Sequence, residues 1–308
     1  MSNPQHDLDV VVVSYESRDF LMRCLEAWSE TAVDPLVVDN ASTDGSAEAA
    51  RAAGADVVGL AENIGFGAAA NAGIERGARP FVLVTNADAW PRAASDVDAL
   101  VARAAGDEQI AAAGPKLVGI DDSPQPTLLP VASRWWLGRP AVTSFPTGAA
   151  AMRRTIGPRR RPTYLVGAAI LFRRAALEQV GSFDPSFFLF NEEVDLCLRL
   201  RAAGRLAVVA ESTFVHVGGV ATRPRWQAAY REQVRGHLRL LDKHEGRRAA
   251  EQARRWLTAT LAAQAALTSG ERRRFRRECS LWLRHSSVPQ LLEEKPGVRK
   301  DAGLRYGS

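Results

Sequence analysis

Three runs of β-branched residues in the first ninety positions, each ending abruptly in polar side chains, constrain this chain more than any other feature. They are Asp9 to Ser14, Pro35 to Asp39 and Pro80 to Asn86. Each is nearly continuous in apolar residues rather than alternating, as expected of strands covered on both faces in a mainly parallel sheet. Between them, alanine-rich segments predict helices over Arg18 to Trp28, after the Asp44-Gly45 pair, where Asp44 can cap, and over Gly67 to Gly77. Strand and helix in alternation make an α/β fold the expectation. In open α/β sheets ligands bind beyond the carboxyl ends of the strands, so Ser14, Tyr15, Asp39, Asn40, Asn86 and Asp88 should converge on one crevice.

Further along, prolines, glycines and the pair Trp135-Trp136 make Pro115 to Pro162 an irregular connection, with a mobile loop over the site as the expectation. Leu165 to Phe172 then predicts a strand, Arg174 to Val180 a short helix and Asp184 to Phe190 an aromatic loop. Val194 to Ala203 reads as a helix ending at Gly204, followed by a strand over Leu206 to Ala210. Beyond Trp226 the pattern is helical, with little turn chemistry until Pro289. The apolar stretch Trp256 to Leu267, flanked by arginines, is too short to span a membrane; it suits a membrane interface or a packing helix equally.

A length of 308 residues permits one substantial core and a smaller appended lobe. The apolar content of 46% and charged content of 24% exclude a disordered or collagen-like chain. Cys24, Cys197 and Cys279 are isolated, without a Cys-x-x-Cys pair for zinc or redox chemistry, and read as buried thiols in a reducing compartment. The first residues show no basic segment followed by an apolar stretch, so the expected location is the cytoplasm. The net charge of +5 is concentrated in Arg153 to Arg161 and in Arg247 to Arg284. Composition alone leaves nucleic acid, anionic lipid and an anionic substrate open as partners.

Three clusters have chemistry within reach. Asn86-Ala87-Asp88 follows a buried strand directly, where a carboxylate either ends the strand or binds something; a hard divalent cation often keeps only one or two protein carboxylates and completes its shell with phosphates and water. Glu192, Glu193 and Asp195 stand before a helix and after an aromatic run. The helix dipole accounts for acidic residues there, but a carboxylate in a partly apolar pocket also has its proton affinity raised toward that of a neutral-pH base. His216 lies past a predicted strand end, and imidazole ligates transition metals. Asn63 to Asn71 opens a helix with Gly65 and Gly67 closely spaced, but it follows a later strand than a dinucleotide fingerprint does and lacks its third glycine, which disfavours a Rossmann oxidoreductase. No phosphate-binding Gly-Lys-Ser/Thr loop or Gly-x-Ser-x-Gly elbow occurs either.

In order, Val12-Val13-Ser14-Tyr15, Val37 to Ser46, Asn63-Ile64-Gly65-Phe66-Gly67 and Asn86-Ala87-Asp88 resemble glycosyltransferase family 2. Gly167-Ala168-Ala169, Gly181 to Asp184, Phe187 to Phe190 and Glu192 to Leu200 look like that family's acceptor-side segment, and His216 falls where many members carry theirs. The resemblance implies a GT-A fold, Rossmann-like with a mainly parallel sheet, over residues 1–245. A nucleotide-sugar half would span 8–115, an acceptor and catalytic half 163–220, and a basic helical extension 246–308. It implies donor contacts from Ser14, Tyr15, Asp39, Asn40, Asn63, Gly65, Phe66, Gly67, Asn71, Asn86 and Asp88, and acceptor contacts from Gly167, Ala168 and Phe190. Asp88 and His216 would hold a divalent cation, Mg²⁺ or Mn²⁺.

The family's acidic pair usually ends in aspartate; here Glu193 takes that place and is the expected base, with Glu192 close behind and Asp195 in the same cluster. The mechanism implied is direct displacement with inversion and no covalent intermediate, using a nucleoside-diphosphate sugar. Within the family the chain looks most like bacterial rhamnosyltransferases acting on lipid-linked or cell-surface sugars. That implies a saccharide or polyprenyl-linked acceptor, no nucleic-acid partner, and a basic tail fitted to an anionic membrane face. Two other classes stay open: an inactive nucleotide-sugar or polyanion binding protein, which would bind without turnover, and a nucleotidyltransferase, which would release diphosphate from a nucleoside triphosphate.

Overall fold

Successive side chains of a strand point to opposite faces of its sheet, so an unbroken apolar run needs two cores. The computed structural model, which describes residues 7–131, 162–220 and 222–294, supplies both. In chain order the first elements are β1 (Leu8–Ser14), α1 (Arg18–Ser29), β2 (Leu36–Asp39), α2 (Ser46–Ala52), β3 (Asp56–Gly59), α3 (Phe66–Ile74), β4 (Phe81–Asn86), β5 (Ala89–Pro91), α4 (Ala94–Ala105) and β6 (Ile110–Val118). There follow β7 (Pro124–Gln125), β8 (Leu128–Pro130), β9 (Thr163–Leu165), β10 (Ala169–Arg173), α5 (Arg174–Val180), α6 (Glu192–Leu200) and β11 (Arg205–His216).

The main sheet runs β3-β2-β1-β4-β10-β6-β11-β5, with β7 on β6 and a separate β8–β9 pair. Strands β3, β2, β1 and β4 are mutually parallel, and β10 runs antiparallel between β4 and β6. On one face Val10, Val12, Val37, Phe81 and Leu83 pack with Leu21 and Trp28 of α1 and Val97 and Leu100 of α4. On the other, Val11, Val13, Val38, Val82 and Val84 pack with Ala69 and Ile74 of α3, Leu177 of α5 and Leu196 and Leu200 of α6. All three cysteines are free and buried.

Three elements depart from the sequence-based expectation. The run Leu165 to Phe172 is two strands, not one: β9 pairs with β8, β10 joins the main sheet, and Gly167-Ala168 turns between them. The strand expected over Leu206 to Ala210 runs on to His216, because Ala210–Ser212 bulges out between two paired stretches, Val209 opposite Pro115 and Thr213 opposite Lys116. A polar Glu211-Ser212-Thr213 there looks like a strand end in sequence. Of the irregular connection, β6 to β8 are ordered pairs; Trp135, Trp136 and the basic stretch Arg153 to Arg161 lie outside the described residues, as does the loop expected there.

The described chain forms two compact units, the sheet unit over 7–131, 162–188 and 192–223 and a helical unit over 189–191 and 224–294. The helical unit holds α7 (Trp226–Glu245), α8 (Arg247–Ala266), α9 (Gly270–His285) and α10 (Val288–Glu293). Its own core joins Tyr230, Val234 and Leu238 of α7 to Leu257 and Leu261 of α8, Phe275 and Leu283 of α9 and Leu291 of α10. Because α7 spends its apolar face on this core, the unit begins at Pro224, upstream of the 245/246 boundary the motifs imply. Leu257, Leu261 and Ala265 are buried, so the apolar stretch from Trp256 serves packing on that face. Among the described residues no helix is long and apolar enough to cross a membrane.

Candidate active site

Register levels the strand ends. Ser14 pairs with Asp39 and Val13 with Asn86, so the carboxyl ends of β1, β2 and β4 lie level with one another. The Asp39 carboxylate is buried; one oxygen accepts from the Ser42 amide at 3.0 Å, and the other, Oδ1, has no hydrogen-bond partner among the described residues. A buried carboxylate oxygen left without a donor is costly unless a ligand completes it. Asn40 accepts from the Ile64 amide at 2.9 Å and donates to Asn63 Oδ1 at 3.0 Å, which also takes the Gly65 amide at 3.0 Å. The β2 end and the α3 start are thereby fixed to each other. Glu16, at a positive φ of 51°, accepts from the amide and hydroxyl of Thr43 and braces the same loop. Tyr15 and Phe66 are half-buried beside it.

The α3 start is also packed against the aromatic loop. The Phe66 amide donates to the Phe188 carbonyl at 3.0 Å, and a Cβ on Gly65 would stand 2.4 Å from that carbonyl oxygen. Gly65 has φ +93°, which L side chains rarely adopt. Gly65→Ala is therefore expected to destabilise the fold by about 2 to 4 kcal/mol, strain and overpacking together. Gly45→Ala, at φ +82° with only a distant Arg18 guanidinium nearby, should cost about 1 to 2 kcal/mol. Denaturant midpoints check the contrast, and equal losses at the two positions would remove the close approach as its cause.

At the next strand ends, His216 pairs with Ala89 across β11 and β5, which sets it beside Asp88. The His216 Nε2 and Asp88 Oδ1 are 3.9 Å apart, and Asp88 Oδ2 accepts from the Gly218 amide at 3.0 Å. Gln125 clamps the histidine: its amide nitrogen donates to the His216 carbonyl at 2.7 Å, and its oxygen takes the Nδ1–H at 2.8 Å. That leaves the Nε2 lone pair facing the Asp88 carboxylate. Burial pulls the imidazole below its ordinary value, against the opposing effect of Asp88, so the ring is neutral near pH 7. A neutral imidazole and a carboxylate within 4 Å are a donor set that fits a divalent cation whose remaining ligands are phosphate and water. Among the described residues no third His, Cys, Asp or Glu joins them.

The acidic cluster lies near the Gly167-Ala168 turn. The Asn86 amide donates to the Ala168 carbonyl at 3.0 Å, which brings the Gly167-Ala168 turn to the β4 end. The Glu193 side chain lies over Gly167, about where a Cβ at 167 would touch it at 3.5 Å. Glu192 is buried with Oε2 lacking a hydrogen-bond partner among the described residues, and its β-carbon abuts Gly67. Burial first, and the Glu193 charge second, push the Glu192 carboxyl well above the usual carboxylate range. Burial and the same charge raise the Tyr164 phenol, and burial pushes the Cys197 thiol up to about 12. The first turn of α6 is thus a place where a second negative charge is strongly resisted.

Two of the expected site residues face elsewhere. Asp195 is fully buried and pairs with Arg199 at 2.9 Å; Arg199 in turn donates to the carbonyls of Val180, Gly181 and Ser182, tying down the start of the aromatic loop. Asn71 gives both ends of its amide to the Phe183 backbone, at 2.8 and 3.0 Å. Phe190, in the helical unit, has a positive φ of 66°, and a Cβ on Gly236 of α7 would stand 2.4 Å from its carbonyl oxygen. Gln125 and Arg199 carry no local signal in the sequence: the first stands between Pro124 and Pro126, and the second inside a motif dominated by acidic residues.

The model of the family described as glycosyl transferase family 2 matches residues 9–181, more than half of the chain. The chain belongs to glycosyl transferase family 2. A second description, glycosyl transferase family group 2, matches residues 125–291. An N-acetylglucosaminyl-diphospho-decaprenol L-rhamnosyltransferase of Mycobacterium tuberculosis is 33% identical over 231 residues, 68% of this chain and 75% of that one. Rhamnosyltransferase WbbL of Escherichia coli is 32% identical over 79 residues, 25% of this chain and 30% of its own. Among solved structures, the mannosyltransferase PcManGT from Pyrobaculum calidifontis, in complex with GDP-Man and Mn²⁺, superposes with a TM-score of 0.53 at 17% identity, covering 93% of this chain and 85% of that one. This family 2 member therefore has the GT-A fold, extended by C-terminal helices, and acts in glycosyl transfer.

Proposed function

We propose that this family 2 enzyme transfers a rhamnosyl unit from dTDP-rhamnose to a lipid-linked saccharide, with inversion at the anomeric carbon and with Mg²⁺ or Mn²⁺ bound by Asp88 and His216. The observation that carries the reading is the Asp88–His216 pair, with the buried Asp39 Oδ1 at the end of β2 lacking a hydrogen-bond partner among the described residues and the Glu192–Glu193 pair in the first turn of α6. The likeness to a rhamnosyltransferase named for a diphospho-decaprenol acceptor supports the sugar and the acceptor class.

In this reading Asp39, Asn40 and Asn63 bind the nucleoside, Gly65 and Gly67 let the backbone come close to the donor, and Asn86 orients the sugar. Bound at Asp88 and His216, the cation supplies charge neutralisation for the diphosphate. Glu193 takes the proton from an acceptor hydroxyl held over Gly167 and Ala168. As that O–H bond breaks, the oxygen forms a bond to the anomeric carbon from the face opposite the diphosphate, and the bond to the nucleoside diphosphate breaks. Burial and the Glu193 charge push the Glu192 carboxyl well above the usual carboxylate range, which favours its role as a hydrogen-bond donor over competition for the proton. Asp195 and Asn71 position the aromatic loop rather than touch substrate.

Incubation of the full chain with dTDP-rhamnose, Mn²⁺ and a short-chain prenyl-diphosphate N-acetylglucosamine should yield dTDP and a disaccharide of inverted anomeric configuration. Transfer from UDP- or GDP-sugars alone would replace the donor in this reading, and retention of configuration would remove the single displacement.

A further inference from the structure

We propose that one end of the helical unit, made by the start of α7, the α8–α9 turn and the outer face of α9, docks on an anionic lipid bilayer. The proposal deepens the reading of a lipid-linked acceptor, on which it rests for its biological sense though not for its geometry.

Three element ends meet there. The Trp226 ring, first in α7, stacks edge-on against Phe275 of α9 at 4.6 Å, and Gln227 donates to Glu271 at 2.8 Å. The three-residue turn 267–269 joins the end of α8 to the same α9 start. Packing on Phe275 accounts for part of the Trp226 ring, but it leaves other apolar surface outside. The core takes Leu257, Leu261 and Ala265 from α8 and Phe275, Cys279 and Leu283 from α9. Yet Leu267 is 86% exposed, Leu281 43% and Trp226 41%.

The polar surroundings are predominantly basic. With 275, 279 and 283 facing inward, helical spacing puts Arg273, Arg277, Leu281 and Arg284 in a row on the opposite side, and all four are exposed. Arg272 and Arg274 are exposed beside them. Arginines in α9 number six against two glutamates, Glu271 and Glu278. A solvated helix face mixes its charges and gains nothing from an apolar side chain nearly all in water. A nucleic-acid surface would use the arginines but not Leu267. An anionic bilayer takes both: phosphate headgroups for the arginines, the interface for Trp226, and the acyl boundary for Leu267.

The test is co-flotation of the full chain with vesicles of phosphatidylcholine alone or mixed with phosphatidylglycerol. Binding is expected to the mixed vesicles, weakened by salt. The triple variant Arg273→Glu, Arg277→Glu, Arg284→Glu should lose about a hundredfold in affinity, and Leu267→Asp about tenfold. Both should keep the wild-type unfolding midpoint and wild-type transfer to a short-chain, water-soluble acceptor. Equal binding of wild type and the triple variant, no preference for phosphatidylglycerol, or displacement from the vesicles by random-sequence RNA would each overturn the proposal. Absence of vesicle binding with intact transfer to the soluble acceptor removes the docking surface and leaves the enzyme reading standing. Vesicle binding without transfer to any acceptor upholds the docking surface and removes the enzyme reading.

Discussion

Replacing Glu193 by glutamine is expected to lower kcat by about 10²- to 10⁴-fold, the range for loss of a general base, with donor affinity unchanged. Replacing Glu192 by glutamine should cost less than about tenfold, because burial and the Glu193 charge favour the neutral carboxyl, which is close to an amide in charge and shape. The two also differ in stability. The Glu192 folded value lies above its ordinary value of 4.5, so its contribution to stability is present below that value and is lost as pH rises through the folded one. Glu192→Gln removes the charge that burial resists and should therefore unfold at higher denaturant than wild type at pH 8, while at pH 4 the two should coincide. Rate constants and unfolding midpoints for the pair decide the assignment. If Glu192→Gln is the crippled variant and Glu193→Gln is not, the base is Glu192 and its raised proton affinity serves general-base catalysis directly.

The second large effect belongs to Asp88. In the proposed cation site Asp88→Ala would remove one of two protein donors, and Mn²⁺ affinity, read by the spin-resonance signal of free Mn²⁺ in the presence of dTDP, should fall by about a hundredfold or more, since a hard cation would be left with one imidazole. Gln125→Leu is expected to fall between that variant and wild type, at about ten- to a hundredfold, the usual cost of losing the partner that fixes a ligating histidine. It leaves both donors in place but frees the ring to rotate and to change tautomer. A Gln125→Leu variant that binds Mn²⁺ as wild type does would show that the clamp is only a strand contact.

Much of the sheet from β1 to β4 was legible because it rests on local chemistry. An apolar run such as Val10 to Val13 needs covering on both faces, and the structure covers it so; the polar residues at its end then have only the crevice to go to. Other features depend on partners far along the chain. Asn71 belongs to a motif at the α3 start, yet its amide is taken by Phe183, 112 positions away. Gln125 reads as part of a proline-rich connection until β11 brings His216 across from it, 91 positions on. The break at Gly167-Ala168 inside an apolar run has no local reason; it exists because the turn meets Asn86 on one side and Glu193 on the other. Asp195 looks like a member of an acidic triad in sequence, and its pairing with Arg199 is what sets it apart from Glu192, which is buried as well.

The claim on which the rest depends is that the crevice at the ends of β1, β2 and β4 binds a nucleoside diphosphate together with a cation. Titration calorimetry of the full chain with UDP, dTDP and GDP, with and without Mn²⁺, and again on Asp88→Ala, addresses it most directly. The account predicts that dTDP binds in a Mn²⁺-dependent manner and that this binding is lost in Asp88→Ala. Binding of none of the three, or binding that is indifferent both to Mn²⁺ and to Asp88, would contradict it.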